Sequence, residues 1–236
     1  MRAILAPTTL AIVLIASPAL AASGKVTFLE GSATRTAAGG APVALVDGAA
    51  VLEGDALETS AGGRLEVTLE DGSIVRVDEK SRLLVDSVVR IGDQSWKVKL
   101  TLALGQIWSK VTRKVGEGAG YEVHTERAVA GVRGTEFLVE ASGDHNVEVD
   151  EGVVDVGVRG ADGLVTEHHL VNLGERLAID ASGRTAGPIK GRAERAFRHW
   201  LKERLEKTRK GPKERRESLK ERRYDRAEQR RDNRPR

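Results

Sequence analysis

The amino-acid sequence predicts an all-β body, in the form of a small twisted β-solenoid or a sandwich-like stack, followed by a basic α-helical tail. Three observations carry that reading. Short apolar alternations fill Lys25 to Asp180, as in Leu65, Val67 and Leu69 against Arg64, Glu66, Thr68 and Glu70; a period of two buries one face of a strand and wets the other. Gly-containing pairs punctuate these segments at Glu30-Gly31, Asp47-Gly48, Gly54-Asp55, Asp71-Gly72, Gly92-Asp93, Glu151-Gly152 and Asp162-Gly163, which is the residue chemistry of hairpins and turns. Past Gly187-Pro188 the period changes: Ala193, Phe197, Trp200, Leu201 and Leu205 recur at spacings of three and four, one face of a helix.

Taken from the start, Arg2, the apolar stretch Leu10 to Ala16 and the small-residue end Ala19-Leu20-Ala21 have the three parts of a secretory signal. It is predicted over residues 1–22, with cleavage after Ala21 or Ala22. The apolar stretch falls short of the roughly 20 residues that cross a bilayer. No later segment is long and apolar enough to do so, and the mature chain is expected to be periplasmic or secreted, without a transmembrane segment.

The β domain is predicted over residues 24–186. Val98, Leu100, Leu102 and Leu104 alternate, and Phe137 and Val139, Val147 and Val149, Val154, Val156 and Val158, and Leu177 and Ile179 extend the scheme. Pattern alone gives roughly a dozen strands of about 4–8 residues. Aromatic residues make up 3% of the chain, so the core must be built from Val, Leu, Ile and Ala, which suits thin, closely stacked layers. Phe28-Leu29-Glu30-Gly31-Ser32-Ala33 and Val149-Asp150-Glu151-Gly152-Val153-Val154 read as echoes of one strand-turn-strand unit. The amphipathic basic helix is expected over 190–210, ended by Gly211-Pro212. The charged residues 213–236 hold too little apolar surface to offset ordering, so they form a solvated helix or a disordered end.

Charge divides the chain. Lys190 to Arg236 carries 20 Lys and Arg against 9 Asp and Glu, a net +11, which leaves 18 against 26, a net −8, for residues 1–189. A partner of the tail is therefore expected to be anionic. With no cysteine, disulfides, thiolate metal sites and cysteine nucleophiles are excluded. The Gly-x-Ser-x-Gly elbow is missing, and Gly39-Gly40 and Gly62-Gly63 lack the Lys-Ser/Thr of a phosphate loop. His168 and His169 are adjacent in a predicted strand and point to opposite faces. His124, His145 and His199 fall in separate elements without metal-ligand spacing. Glu30, Glu122 and Glu151 read as turn carboxylates rather than an acid–base pair. No catalytic residue, metal or cofactor is expected.

Tyr121 to Glu140 reads YEVHTERAVAGVRGTEFLVE. Its core is Thr125 followed by Ala128-Val129-Ala130-Gly131-Val132-Arg133-Gly134-Thr135-Glu136-Phe137, and it resembles the signature of the FecR domain: a Thr, Ala-x-Ala-Gly-Val-Arg-Gly-Thr, then an aromatic and a strand. Leu52 to Leu57, Leu69 to Ser73, Leu102 to Trp108 with Gly105, and Val149 to Val156 agree in order, so the resemblance covers about residues 24 to 158. It implies an all-β extracytoplasmic module of envelope signalling. Regulators of that type join a cytoplasmic anti-sigma segment, one membrane helix and a periplasmic domain, a plan from which this sequence departs. Physically, Gly131 and Gly134 mark sharp turns or close approaches where a Cβ is least tolerated. Arg133 is expected to tie adjacent turns through backbone carbonyls; alternatively Arg133 and Thr135 face a ligand or partner.

The leading functional expectation is a non-enzymatic, exported binding or scaffold module of the cell envelope that recognises an envelope protein or a glycan. Phe197, Arg198, Trp200, Leu201, Lys202, Arg204 and Leu205 would attach the tail to anionic lipid or lipopolysaccharide, or dock it on the acidic body. The alternative is a periplasmic signalling module that acts with a membrane-bound regulator in iron-type surface signalling. Export argues against a nucleic-acid partner for the Arg-rich end.

Overall fold

The structure, a computed structural model, describes residues 22–93, 95–111 and 118–190. Most of the predicted signal and the predicted tail, with Phe197, Arg198, Trp200, Leu201, Lys202, Arg204 and Leu205, lie outside those residues. The described residues are all-β and contain no helix. In chain order the strands are β1 (Ala22–Glu30), β2 (Ala33–Thr36), β3 (Val43–Ala44), β4 (Ala50–Leu52), β5 (Ala56–Thr59), β6 (Arg64–Leu69), β7 (Ile74–Val77), β8 (Arg82–Arg90) and β9 (Trp96–Lys110). They continue as β10 (Gly120–His124), β11 (Ala128–Val132), β12 (Glu136–Ser142), β13 (Asp144–Glu151), β14 (Val153–Arg159), β15 (Val165–Asn172), β16 (Glu175–Ile179) and β17 (Thr185–Lys190).

Hydrogen bonds join all of them into one open, mixed network, folded into two layers that share β9. The first layer runs β4-β1-β6-β7-β9-β12-β13-β16-β17 and is antiparallel throughout. The second runs β3-β2-β5-β8-β9-β10-β11-β14-β15 and is antiparallel except where β10 lies parallel to β9. From β10 onward hairpins alternate between the layers: β10–β11 in the second, β12–β13 in the first, β14–β15 in the second, β16–β17 in the first.

Strand β9 spans 15 residues because it serves both layers. Trp96 to Leu104 pairs with β8, and Gly105 to Lys110 pairs with β12. The crossing falls at Gly105, whose φ is +89° and whose missing Cβ would stand 2.1 Å from Ser81 Oγ and 2.6 Å from Ser81 Cα. Only glycine meets both conditions. Approaching the crossing, the β8–β9 register slips between Arg82 and Leu83, which turns Leu104 outward (52% exposed) while Val98, Leu100 and Leu102 stay buried. A bulge has this effect because one added residue moves every following side chain to the other face.

The core between the layers is one cluster of Val, Leu, Ile and Ala with two large aromatics, Tyr121 and Phe137. The expected inward residues of β6, β12, β13, β14 and β16 are all buried. Six of the seven predicted glycine turns place their glycine at positive φ, Gly92 being the exception. The two echo phrases occupy equivalent places: Gly31 (φ +67°) and Gly152 (φ +84°) each carry the chain from a strand of the first layer to one of the second. Among the described residues the expected dozen strands become 17, because β3 and β4 are too short to show a period and β17 continues through Pro188 to Lys190. Pro188 is compatible with that strand because β17 pairs only with β16 and forms the edge of its layer, where a missing N–H interrupts no ladder.

Candidate functional site

The Thr125–Phe137 motif spans the end of β10, the tight turn to β11, all of β11 and the crossing to β12. Its inward side chains are structural. Ala128, Ala130 and Val132 alternate with Val129 and Gly131 and point into the core. Phe137, fully buried, meets Tyr121 edge to face with centroids 6.2 Å apart, a favoured aromatic geometry. The Tyr121 hydroxyl donates to Ser109 Oγ at 3.1 Å on the opposite layer, and burial pushes that phenol far above its ordinary pKa.

Thr125 closes the β10–β11 turn by accepting from the backbone N–H of Arg127 (3.2 Å) and Ala128 (2.9 Å). Its hydroxyl also lies 2.8 Å from Nδ1 of buried His145 on β13, in the other layer. Burial, and then the Arg127 charge, hold His145 below the ordinary imidazole pKa. The hydrogen bond between this imidazole and the Thr125 hydroxyl links the two layers. Thr135, also buried, donates to Val153 O at 3.2 Å and accepts Val111 N–H through its own carbonyl.

The outward side of the same motif is different in kind. Gly131, Val132, Arg133 and Gly134 line an open cleft of about 540 Å³, together with Ala119, Glu122, Val153, Asp155 and Leu170. The strand register sets Glu122, Gly131, Asp155 and Leu170 side by side on β10, β11, β14 and β15. Gly134 has φ +80° and is required by the bend. Gly131 is not: its φ lies outside the left-handed region and an added Cβ would meet only Asp155 O at 3.7 Å, ordinary contact. The expectation that both glycines exclude a Cβ thus holds at Gly134 on conformational grounds and fails at Gly131. There the absent side chain leaves the notch that forms the cleft floor.

Each floor carboxylate is held by a histidine from the neighbouring row. Arg159 Nη2 can only donate to His124 Nδ1 (2.8 Å), so His124 Nε2–H donates to Glu122 Oε2 (2.7 Å). His168 Nδ1 lies 3.0 Å from Asp155 Oδ1. Glu122 therefore stands in a strand, beside Asp155 rather than Glu30 or Glu151, and not in a turn. Arg133 is exposed at the cleft rim with no hydrogen-bond or ion-pair partner among the described residues, so the expected tie to backbone carbonyls is not made there. The cleft thus offers two oriented carboxylates, an open guanidinium and two apolar side chains, Val153 and Leu170, a surface fitted to a polypeptide segment. Among the described residues no group of three potential ligands is placed to hold a metal.

Asp155, Val153 and Leu170 carried no signal in the sequence, since only the pairing of β11 with β14 and β14 with β15 brings them to Gly131. The cross-layer role of His145 was hidden for the same reason. A second outward cluster lies on the first layer: the Arg76 guanidinium packs 4.5 Å over the Trp108 ring and pairs with Glu66 at 2.7 Å, while Trp108 Nε1 donates to Asp150 at 3.2 Å.

Residues 55–155 match the family described as FecR protein, and that stretch of the chain is a FecR domain. It holds the whole motif and every cleft residue except Leu170. No curated protein matches the sequence. Among solved structures the chain is similar to two crystal structures, at 1.65 and 2.50 Å resolution, of a protein described as a candidate anti-sigma factor from Parabacteroides distasonis ATCC 8503. Identity is 21% and the TM-score 0.49 in both. Each alignment covers 62% of this chain, and 64% and 63% of the other, so the likeness spans less than two thirds of those chains. No helix among the described residues is long and apolar enough to cross a membrane.

Proposed function

We propose that this chain is a non-enzymatic, exported protein-recognition module of cell-surface signalling, and that the outward face of its FecR motif is the recognition surface. The single observation that carries the reading is the division of the motif. Thr125, Ala130, Val132, Thr135 and Phe137 are committed to the core or to links between elements. Gly131 and Arg133 open outward onto a cleft that the fold does not require. The FecR family match supports a signalling partner, and an oriented pair of carboxylates beside apolar side chains suits a basic or amide-bearing peptide segment. The sandwich-like form of the two layers gives that surface a rigid support.

The test is a photo-crosslinking residue placed at position 170, an exposed apolar site on the cleft, of the full-length chain in its own cell envelope, with position 89 on β8 as the comparison. The reading expects an adduct to a membrane-embedded protein at position 170 only, and loss of that adduct when Gly131→Phe fills the notch. Adducts of equal yield at both positions, or an adduct indifferent to Gly131→Phe, would overturn it.

A further inference from the structure

We propose that two copies of this chain pair through the open edge of β15, in an antiparallel register whose two-fold axis passes between His168 and its counterpart. The two layers have four terminal strands, and three of them are blunted. Strand β3 has two residues and β4 three, while β17 carries Pro188 and ends on Lys190; short strands, proline and lysine guard an edge against further pairing. Apart from a slip in register at its start, beside Arg159, β15 has no such guard. It runs for eight residues, VTEHHLVN, and among the described residues it pairs only with β14. Arg159 N–H bonds to Arg127 O on the β11 side, so by alternation along β14 it is Val158, Val156 and Val154 that bond to β15. Their partners Glu167, His169 and Val171 therefore turn their backbone groups toward β14, which leaves those of His168 and Leu170 facing the open side. Leu164, Leu170 and Leu173 are 67%, 64% and 65% exposed around this edge, an apolar border of the kind that marks association surfaces.

What β15 would oppose sets the occupant and the register. A continued sheet keeps the inward face of one strand level with that of the next, so a two-fold passes through a residue pair rather than between residues. Centred on Glu167 it opposes two carboxylates; centred on His169 it sets Glu167 against Val171, and centred on Leu170 it sets His169 against Val171. Centred on His168 it places Glu167 of each copy opposite His169 of the other, a favourable cross-strand pair made twice. His169 Nε2 is buried without a hydrogen-bond partner among the described residues; Glu167 Oε1 of its own strand lies 3.3 Å away, in a geometry that makes no such bond. A second copy's Glu167 directly opposite, with Cα atoms about 4.5 Å apart, supplies the missing acceptor. At the axis the two His168 residues exchange a pair of backbone hydrogen bonds. The outer faces stay open, so the two Gly131 clefts look to the same side of one continuous sheet.

Sedimentation velocity of the full chain, over about 1–200 μM, tests the pairing and should show a monomer passing into a dimer as concentration rises. His168→Pro removes the central N–H on the open side and leaves the bonds to β14 in place. It should weaken the dimer at least about tenfold while the far-ultraviolet spectrum stays that of the parent. The absence of cysteine allows a register-specific readout that does not depend on that variant. With a mild oxidant His168→Cys should form a covalent dimer, because a hydrogen-bonded antiparallel pair sets its Cα atoms about 5.5 Å apart, within disulfide reach. Leu170→Cys should not, since its two copies would lie about 14 Å apart along the strands. The proposal is overturned by a chain that stays monomeric over that range, by a dimer that survives His168→Pro, or by equal cross-linking at positions 168 and 170. None of these outcomes depends on whether the cleft recognises a signalling partner.

Discussion

Alanine at Gly131 and alanine at Gly105 should have opposite effects on stability, although both glycines belong to the FecR pattern. At Gly105 the new Cβ falls 2.1 Å from Ser81 Oγ and 2.6 Å from Ser81 Cα, and the second of these atoms is backbone, so rotation of a side chain cannot clear it. The φ of +89° adds a cost of roughly 1–2 kcal/mol for any residue with a Cβ. Displacing Ser81 also breaks its hydroxyl bond from Gln106 N at 3.0 Å, worth about 1 kcal/mol. With the steric term included, Gly105→Ala should lose at least about 3 kcal/mol, a large share of the roughly 5–15 kcal/mol that holds a domain folded. At Gly131 nothing lies closer than 3.7 Å, and restriction of the unfolded chain should give a gain of about 0.4–1 kcal/mol. Guanidinium chloride unfolding followed by circular dichroism measures both, with an unchanged slope showing that the denatured state is the same. A loss of about 2 kcal/mol at Gly131, or a neutral outcome at Gly105, would refute the reasoning that separates a fold glycine from a surface glycine.

Phe137→Ala empties a fully buried site and removes the edge-to-face partner of Tyr121; it should cost about 3–5 kcal/mol in the same unfolding assay. His145 resists protonation in the native state, whereas the unfolded chain takes up that proton near 6.5. Its contribution is therefore complete above that pH and falls away as the pH drops through it toward the lower native value. His145→Gln should flatten the wild-type decline in unfolding midpoint between pH 7 and about 5, and equal slopes in the two proteins would count against the neutral Thr125–His145 bond. Arg76→Ala removes both the cation–π contact on Trp108 and the partner of buried Glu66. It should destabilise by about 2–4 kcal/mol, readable as a shift in melting temperature.

The strands were legible in the sequence wherever one face is buried and the other wet, because β6, β12, β13, β14 and β16 each state that pattern within a few residues. The turns were legible because positive φ demands glycine, and the chain supplies it at Gly31, Gly54, Gly72 and Gly152. Leu104 misled because its alternation continues in the sequence while a bulge ahead of Gly105 reverses the strand face. The candidate site was half legible. Local sequence named Gly131 and Arg133, but Glu122 and Asp155 meet across Gly131 only through pairings of β10, β11 and β14, and Leu170 joins them through β15. Cross-layer contacts such as Thr125 with His145 depend on two hairpins arriving on opposite sides of one core, which no period in the sequence records.

The measurement that bears most directly on the division of the motif is a paired one on Arg133→Ala and Thr125→Val, reading unfolding midpoint and yield of the partner adduct from one preparation, with the crosslinker at position 170 on the cleft. The account predicts that Arg133→Ala keeps the parent midpoint and loses the partner adduct, whereas Thr125→Val lowers the midpoint. A destabilised Arg133→Ala, or one that retains the adduct in full, would contradict it.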